Sequence, residues 1–252
     1  MLFALLQRSL DQTIDRVAME EASQAAPQVG RADCARLQRQ LFGIVVRRLD
    51  EKNARAFQTA LAACGFATDL APETTLFKLP SAHRTGGLHI TPEALARTDL
   101  YGREVAVPWP QVVFAAAGRV EGHRRERRPT SVLDVVDRGR YGRRVVVNTV
   151  MEARSVPTSQ WRIDLFFASD PMRIDWVAEQ GRVSRLDGEP VRATDTDRLF
   201  AFLHALRDRL PPERMNRGLD LAGEDGAPRY PNLEAFEEEV VWHFHRLRSG
   251  GA

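Results

Sequence analysis

Leu2-Phe-Ala-Leu-Leu-Gln-Arg-Ser-Leu-Asp11 and Leu41-Phe-Gly-Ile-Val-Val-Arg-Arg-Leu-Asp50 are two versions of one phrase, an apolar run that ends at an aspartate. Each run reads as a strand. Each aspartate can cap a following helix by accepting from the free N–H groups of its first turn. After Asp50, the residues Ala54, Phe57, Leu61 and Cys64 recur at helical spacing. Gly65 supplies the left-handed residue that ends that helix. Phe66–Leu70 reads as the returning strand, and Val29–Leu37 as a short helix between the two phrases. The expected order over residues 1–72 is therefore β-α-α-β-α-β. The likeness of the two phrases leaves duplication open, but two strand–helix units are too few for a repeat array.

The chain has 252 residues, enough for one large domain or two small ones. It is 43% hydrophobic and 28% charged, which is the profile of a folded protein. A net charge of +2 gives no global electrostatic reason for binding nucleic acid or membrane, so such binding must come from a local patch. No apolar run approaches the ~20 residues of a membrane-spanning helix. The start, Met1–Leu6, is apolar before its first charge, the reverse of a secretory signal, so a cytoplasmic location is expected. Cys34 and Cys64 lie in helix-like segments and suggest no disulfide framework. Arginine outnumbers lysine 34 to 2, which follows from base composition more simply than from a need for bidentate recognition throughout.

Residues 73–87, with Pro80 and the pair Gly86-Gly87, read as a linker with a few apolar anchors. Beyond it the periodicity changes to short strands: 88–91, 94–99, 104–109, 112–117, 145–151, 161–167 and 172–177. A helix over 196–210 closes the run, with Leu199, Phe202, Leu203, Leu206 and Leu210 on one face, and Pro211-Pro212 stops it. Residues 212–252 form a C-terminal extension, in which Asn232 caps a last helix striped by Leu233, Phe236, Val240, Phe244 and Leu247. Its acidic start and basic end suit the helix dipole. A helix with this stripe must pack on something, the preceding domain or the space between the two domains. The fold class is α+β: a small α/β domain (1–72), a linker (73–87), a seven-stranded β-barrel or sandwich with a closing helix (88–211) and the extension.

Two resemblances follow from these residues. Val29–Leu37, Phe42–Val46, Asn53–Leu61 and Gly65 resemble the C-terminal domain of bacterial ribosomal protein L7/L12 and the related ClpS-like fold. The stalk-protein domain meets translation GTPases through basic residues of its first helix. Glu21 and Gln24 stand at the corresponding positions here, so that contact is not carried over. Leu88-x-Ile-Thr-Pro-x-x-Leu95 and Gly102-Arg-x-x-x-Val-Pro-Trp109, with seven strands and a helix, resemble a pleckstrin-homology-like (PH-like) domain of the kind found in bacterial proteins. That resemblance implies recognition of phosphoinositides, peptides or proteins and does not choose among them.

The most distinctive surface is the stretch 119–144, read as a charged loop. It carries Arg119, Arg124, Arg125, Arg127, Arg128, Arg138, Arg140, Arg143 and Arg144 with His123, diluted by Glu121, Glu126, Asp134 and Asp137. Arg124, Arg125, Arg127, Arg128, Arg140, Arg143 and Arg144 are the candidate anion-binding set, for phosphate, nucleic acid or an acidic lipid surface. A long solvated loop in an arginine-rich protein is the plainer reading, and Tyr141 alone offers a ring for base stacking. Asp164 and Asp175 interrupt apolar strands and could form an acid/base pair. Each shares a strand face with the arginine two residues before it, so charge pairing on a solvated face explains both more simply. His243 and His245 lie ~200° apart around a helix and cannot chelate one ion. His204 reads as a flank residue of its helix. The four tryptophans, Trp109, Trp161, Trp176 and Trp242, read as core or inter-domain packing.

No nucleophile elbow, phosphate-binding glycine loop, dinucleotide fingerprint or H-E-x-x-H occurs. The expectation is a non-catalytic binding or scaffolding protein, with no cofactor and no metal. A protein partner would sit at an exposed edge of the second domain or in the groove between domains. Anion binding through the arginine loop is the alternative, with nucleic acid or an anionic membrane surface less favoured as partners. An enzyme with an unfamiliar site is the third.

Overall fold

The structure is a computed structural model. It describes residues 1–39, 41–99, 101–137, 143–168, 172–178, 184–192, 195–224 and 226–249; of these, 123–137, 143–150 and 152–154 are described by backbone alone. The fold is mixed α+β.

The N-terminal elements are β1 (Phe3–Gln7), α1 (Arg16–Ser23), α2 (Arg31–Arg39), β2 (Ile44–Leu49), α3 (Glu51–Ala63) and β3 (Thr68–Pro72). The strands form an antiparallel sheet in the order β2-β1-β3. Asp50 caps α3, its carboxylate accepting from the Asn53 N–H at 2.9 Å. Gly65, at φ +79°, turns the chain out of the helix. Asp11 does not cap. Ile14 is buried before the first helix begins, so that helix starts later, at Asp15, which accepts from the Ala18 N–H at 2.8 Å.

Strand alternation gives β1 two buried faces. Phe3 and Leu5 pack under the helices, against Met19, Phe57 and Leu61. Ala4 and Leu6 point the other way, into a cluster with Ile44 and Ala71.

The rest of the chain forms β4 (Ala82–Arg84), β5 (Gly87–Ile90), β6 (Ala94–Thr98), β7 (Glu104–Pro108), β8 (Val112–Asp137), β9 (Arg143–Phe167), β10 (Arg173–Ala178), β11 (Ser184–Leu186), β12 (Glu189–Val191), α4 (Thr196–Arg207), α5 (Arg217–Asp220), β13 (Arg229–Tyr230) and α6 (Leu233–Ser249). Two five-stranded sheets result, in the orders β13-β8-β9-β10-β4 and β12-β11-β5-β6-β7. They share one core with α4, built on Leu95, Ile163, Trp176, Leu203 and Leu206. Among the described residues no sheet closes into a barrel, which corrects the barrel alternative. The stretch read as a linker supplies β4, which pairs in parallel with β10.

The expected loop over 119–144 is also corrected. β8 runs on to Asp137 and β9 returns from Arg143, paired in antiparallel register from Phe114↔Phe166 to Asp137↔Arg143. The segments 145–151 and 161–167 are thus one strand. Charges and two prolines hid this continuity, and the backbone shows why the prolines fit. Ala117 turns both backbone groups away from β9: its N–H donates to Asn216 Oδ1 at 2.9 Å and its C=O accepts from Asn216 Nδ2 at 3.0 Å. Pro129 has the same parity on β8, and Pro157 stands opposite His123, of that parity too. Both missing N–H groups therefore fall on the ribbon's outer edges, where the β8–β9 ladder does not need them.

Helix α6 lies between the N-terminal sheet and the β8–β9–β10 face. Phe236, Val240 and Phe244 pack on Phe114, Ala116 and Phe166. Val241 and Trp242 pack on Ala4, Leu6 and Ile44. Phe77 stacks on Phe244 with centroids 4.1 Å apart, anchoring the stretch that leads to β4. The groove expected between the two parts is therefore filled by the chain's own last helix.

Candidate binding site

Beyond Glu121↔Ser159 the ribbon continues to Asp137↔Arg143, an arm of about 50 Å at ~3.3 Å per residue. β13 pairs with β8 at Arg119 and Val120, and β10 pairs with β9 from Trp161 onward. Among the described residues no strand pairs with either outer edge of the arm.

The arm redistributes the candidate arginines. Arg124, Arg125, Arg127 and Arg128 stand opposite Val156, Ser155, Ala153 and Glu152, while Arg144 and Arg143 stand opposite Val136 and Asp137. Arg140 lies outside the described residues, as do Arg138 and Tyr141. The register places Arg144 about 26 Å along the arm from Arg128, so the set is two groups rather than one cluster. In the register Glu126 stands opposite Arg154 and Glu152 opposite Arg128. Arg125 and Arg127 have no acid opposite them.

At the arm's root, Asp164 and Asp175 are cross-strand partners. They lie beneath α6, which corrects the expectation of a solvated face: Asp164 is 0% exposed. Two carboxylates side by side repel, and arginines resolve this. Arg162 Nε donates to Asp164 at 2.6 Å and Arg173 Nε donates to it at 2.7 Å. Arg84 Nε stands 3.1 Å from Asp175, and Arg173 also donates to Glu237 at 2.7 Å. Burial pushes the Asp164 carboxyl above its ordinary value, against the pull of Arg162 and Arg173. Burial also opposes the Arg173 charge, but Asp164 and Glu237 outweigh it and hold its pKa up. Both carboxylates are committed to guanidinium groups, so the pair is arranged as an ion network.

A second buried network centres on Glu239, which the sequence reading missed. Its carboxylate accepts from the Arg217 N–H at 3.0 Å, from Arg217 Nη2 at 3.3 Å and from the Tyr230 hydroxyl at 3.1 Å. Asn216 Nδ2 in turn donates to the Tyr230 oxygen at 2.9 Å, and Arg217 Nη1 donates to the Leu10 carbonyl at 3.0 Å, across to the N-terminal part. Burial raises the Glu239 carboxyl, yet His243 and Arg217 hold it below its ordinary value. Burial, then Glu239, push the Tyr230 hydroxyl well above its own. The available signal was positional: Glu239 follows Phe236 by three residues and so falls inside the apolar stripe.

Glu238, its neighbour, faces Arg47 at 3.5 Å. Burial, with Glu234 adding and Arg47 opposing, raises its pKa to about 7. The folded state holds this proton more tightly than the unfolded chain does. Its contribution is therefore fully present below the unfolded value of 4.5 and is lost as pH rises through about 7. Glu238→Gln is expected to melt above the wild type at pH 8 and with it at pH 4. Equal midpoints at pH 8, by calorimetry, would contradict this.

His243 packs against Phe114 with centroids 5.3 Å apart, and His204 Nε2 is hydrogen-bonded to the Ala222 carbonyl at 2.7 Å. Burial lowers the His245 pKa, with Arg246 adding to the effect. Among the described residues no three metal-ligating side chains gather. Cys34 and Cys64 are free thiols. Among the described residues no helix is long and apolar enough to cross a membrane. No protein-family model matches the chain, and neither a curated protein nor a solved structure matches it at a significant level.

Proposed function

We propose that the protein is a non-catalytic interaction protein whose recognition element is the β8–β9 arm, and that its partner is a protein which adds a strand to the arm. The arm's length beyond the sheet, with no strand on either outer edge among the described residues, carries this reading. An unpaired edge offers a row of backbone donors and acceptors to an incoming strand. Pro129 and Pro157 interrupt that row at one place on each edge, which directs pairing to the stretch beyond each, Ser131–Asp137 on β8 or Arg143–Ser155 on β9. The tip of the arm is rich in valine: Val132, Val135, Val136, Val145, Val146, Val147 and Val150. A two-stranded ribbon on its own is marginally stable, so an added strand would stabilise it.

The test is a variant in which residues 125–155 are replaced by Asn-Gly, a two-residue hairpin turn closed by the hydrogen-bonded pair Arg124↔Val156. Proteins retained by the full chain at high salt should be lost by this variant. Retention of the same proteins without the arm would refute the reading. Arg125 and Arg127, which have no acid opposite them, favour anion binding as the second reading. It predicts retention on heparin that falls steeply with salt and is lost in R125Q/R127Q, whereas strand addition survives both changes.

A further inference from the structure

We infer that the root of the arm holds a separate binding site for one oxyanion group, a phosphate or carboxylate on a small molecule. The sheet face covered by α6 continues past the helix's first residue. There a cavity of about 370 Å³ remains, lined by Arg84, Arg162, Thr158, Gln160, Asn232 and Leu233 among others. The volume lies in the usual range for small-molecule sites, about 300–1,000 Å³.

Charge is layered around it. Arg84 and Arg162 line the cavity, whereas Asp164 and Asp175, which they pair with, are not among its lining residues. Arg162 is 11% exposed; its Nε is held by Asp164, and Nη1 stands 3.5 Å from Asp175. Among the described residues neither terminal nitrogen of Arg162 makes a hydrogen bond. Glu121 lines the rim, and its carboxylate is engaged by the Ser159 hydroxyl at 3.0 Å, with Arg119 at 3.8 Å. The other described residues of the lining carry no charge.

Pro231, Asn232 and Leu233, at the start of α6, line the same cavity. Asn232 Oδ1 takes the Ala235 N–H at 2.8 Å, and among the described residues no hydrogen bond reaches the N–H groups of Leu233 or Glu234. Helix N-termini favour anions through these groups and the helix dipole. An oxyanion between Arg162 and the first turn of α6 would meet a guanidinium on one side and backbone donors on the other, with Thr158 and Gln160 left for a polar remainder of the ligand.

The probes are inorganic phosphate and succinate, each titrated at constant ionic strength against thermal unfolding and by calorimetry. Gln160→Glu and Thr158→Glu place a carboxylate in the cavity without touching the ion network. At least one anion should raise the wild-type midpoint saturably, and either substitution should weaken that anion about tenfold or more. Whether phosphate or succinate acts identifies the source of the oxyanion. No saturable response to either anion, or an undiminished response in a substituted protein whose circular dichroism matches the wild type, would overturn the site. If neither carboxylate variant folds, Leu233→Glu, at an exposed lining residue, decides by the same criterion. The arm-shortened variant keeps Gly122 and Thr158, so it should still bind the anion, which separates this site from the arm.

Discussion

Trp242→Ala is expected to destabilise the protein by about 3–5 kcal/mol, the usual loss for a large aromatic side chain removed from a packed site. The indole is 9% exposed and fills the space between α6 and the outer face of the N-terminal sheet. Its Nε1 donates to the Gln7 carbonyl at 2.7 Å, closing one backbone acceptor at the end of β1. The fit is close. Gly43, at φ +91°, lies against the ring, and a Cβ there would come within 2.4 Å of the Trp242 Cβ. Little around the ring can collapse into the space it leaves, which places the expected loss in the upper part of the range. Trp242→Phe keeps most of the apolar area and loses the hydrogen bond, so it should lose about 1–2 kcal/mol. Amide exchange in β1 should accelerate in the alanine variant before exchange in β8 and β9. A loss under 1 kcal/mol in chemical denaturation would mean that α6 is not what holds the second face of the N-terminal sheet.

Asp164→Ala is expected to lose a similar amount, about 3–5 kcal/mol, by a different route. Here the loss comes from what remains. Arg162 and Arg173 would keep their charges beneath α6 with their shared carboxylate gone, and Arg173 would depend on Glu237 alone. Removing Arg173 as well should therefore be less damaging than the sum of the two single changes, with a coupling of about 0.5–3 kcal/mol between neighbours in one network. Additive losses in the double variant would show that the side chains act separately. Replacing the whole network with apolar residues of like volume could leave stability unchanged. The network is thus better regarded as fixing how β4, β9, β10 and α6 meet than as a source of net stability.

Local patterning made parts of this fold legible. The β-α-α-β-α-β order over residues 1–72, the cap at Asp50 and the turn at Gly65 follow from periodicity and from single residues with strong backbone preferences. The stripes of α4 and α6 were equally plain. The arm was not. Its residues alternate charge with prolines and threonines, and strand propensity there depends on a partner strand and on which edge a missing N–H faces. The candidate arginines were found as residues, but their spacing along the arm followed only from the register with β9.

The ion network shows the same division. That Asp164 and Asp175 share a strand face with the arginines two residues before them, and pair across strands, could be read from strand parity, and Arg173 does hold Asp164 from the neighbouring strand while Arg162 Nη1 stands 3.5 Å from Asp175. That the face is buried could not, because its cover arrives from the far end of the chain. The sequence by itself determined the element order of residues 1–72, the strands β5, β6, β7 and β10, the helices α4 and α6, and the apolar stripes of those helices, since these depend on neighbours a few residues apart. The tertiary structure alone decided that α6 lies between two sheets, that Glu239 and Asp164 are sealed beneath or within it, and that 119–144 projects as an arm. Those outcomes depend on contacts between residues as distant as Gln7 and Trp242. Such contacts are selected by how much surface each packing buries, and no local pattern records that.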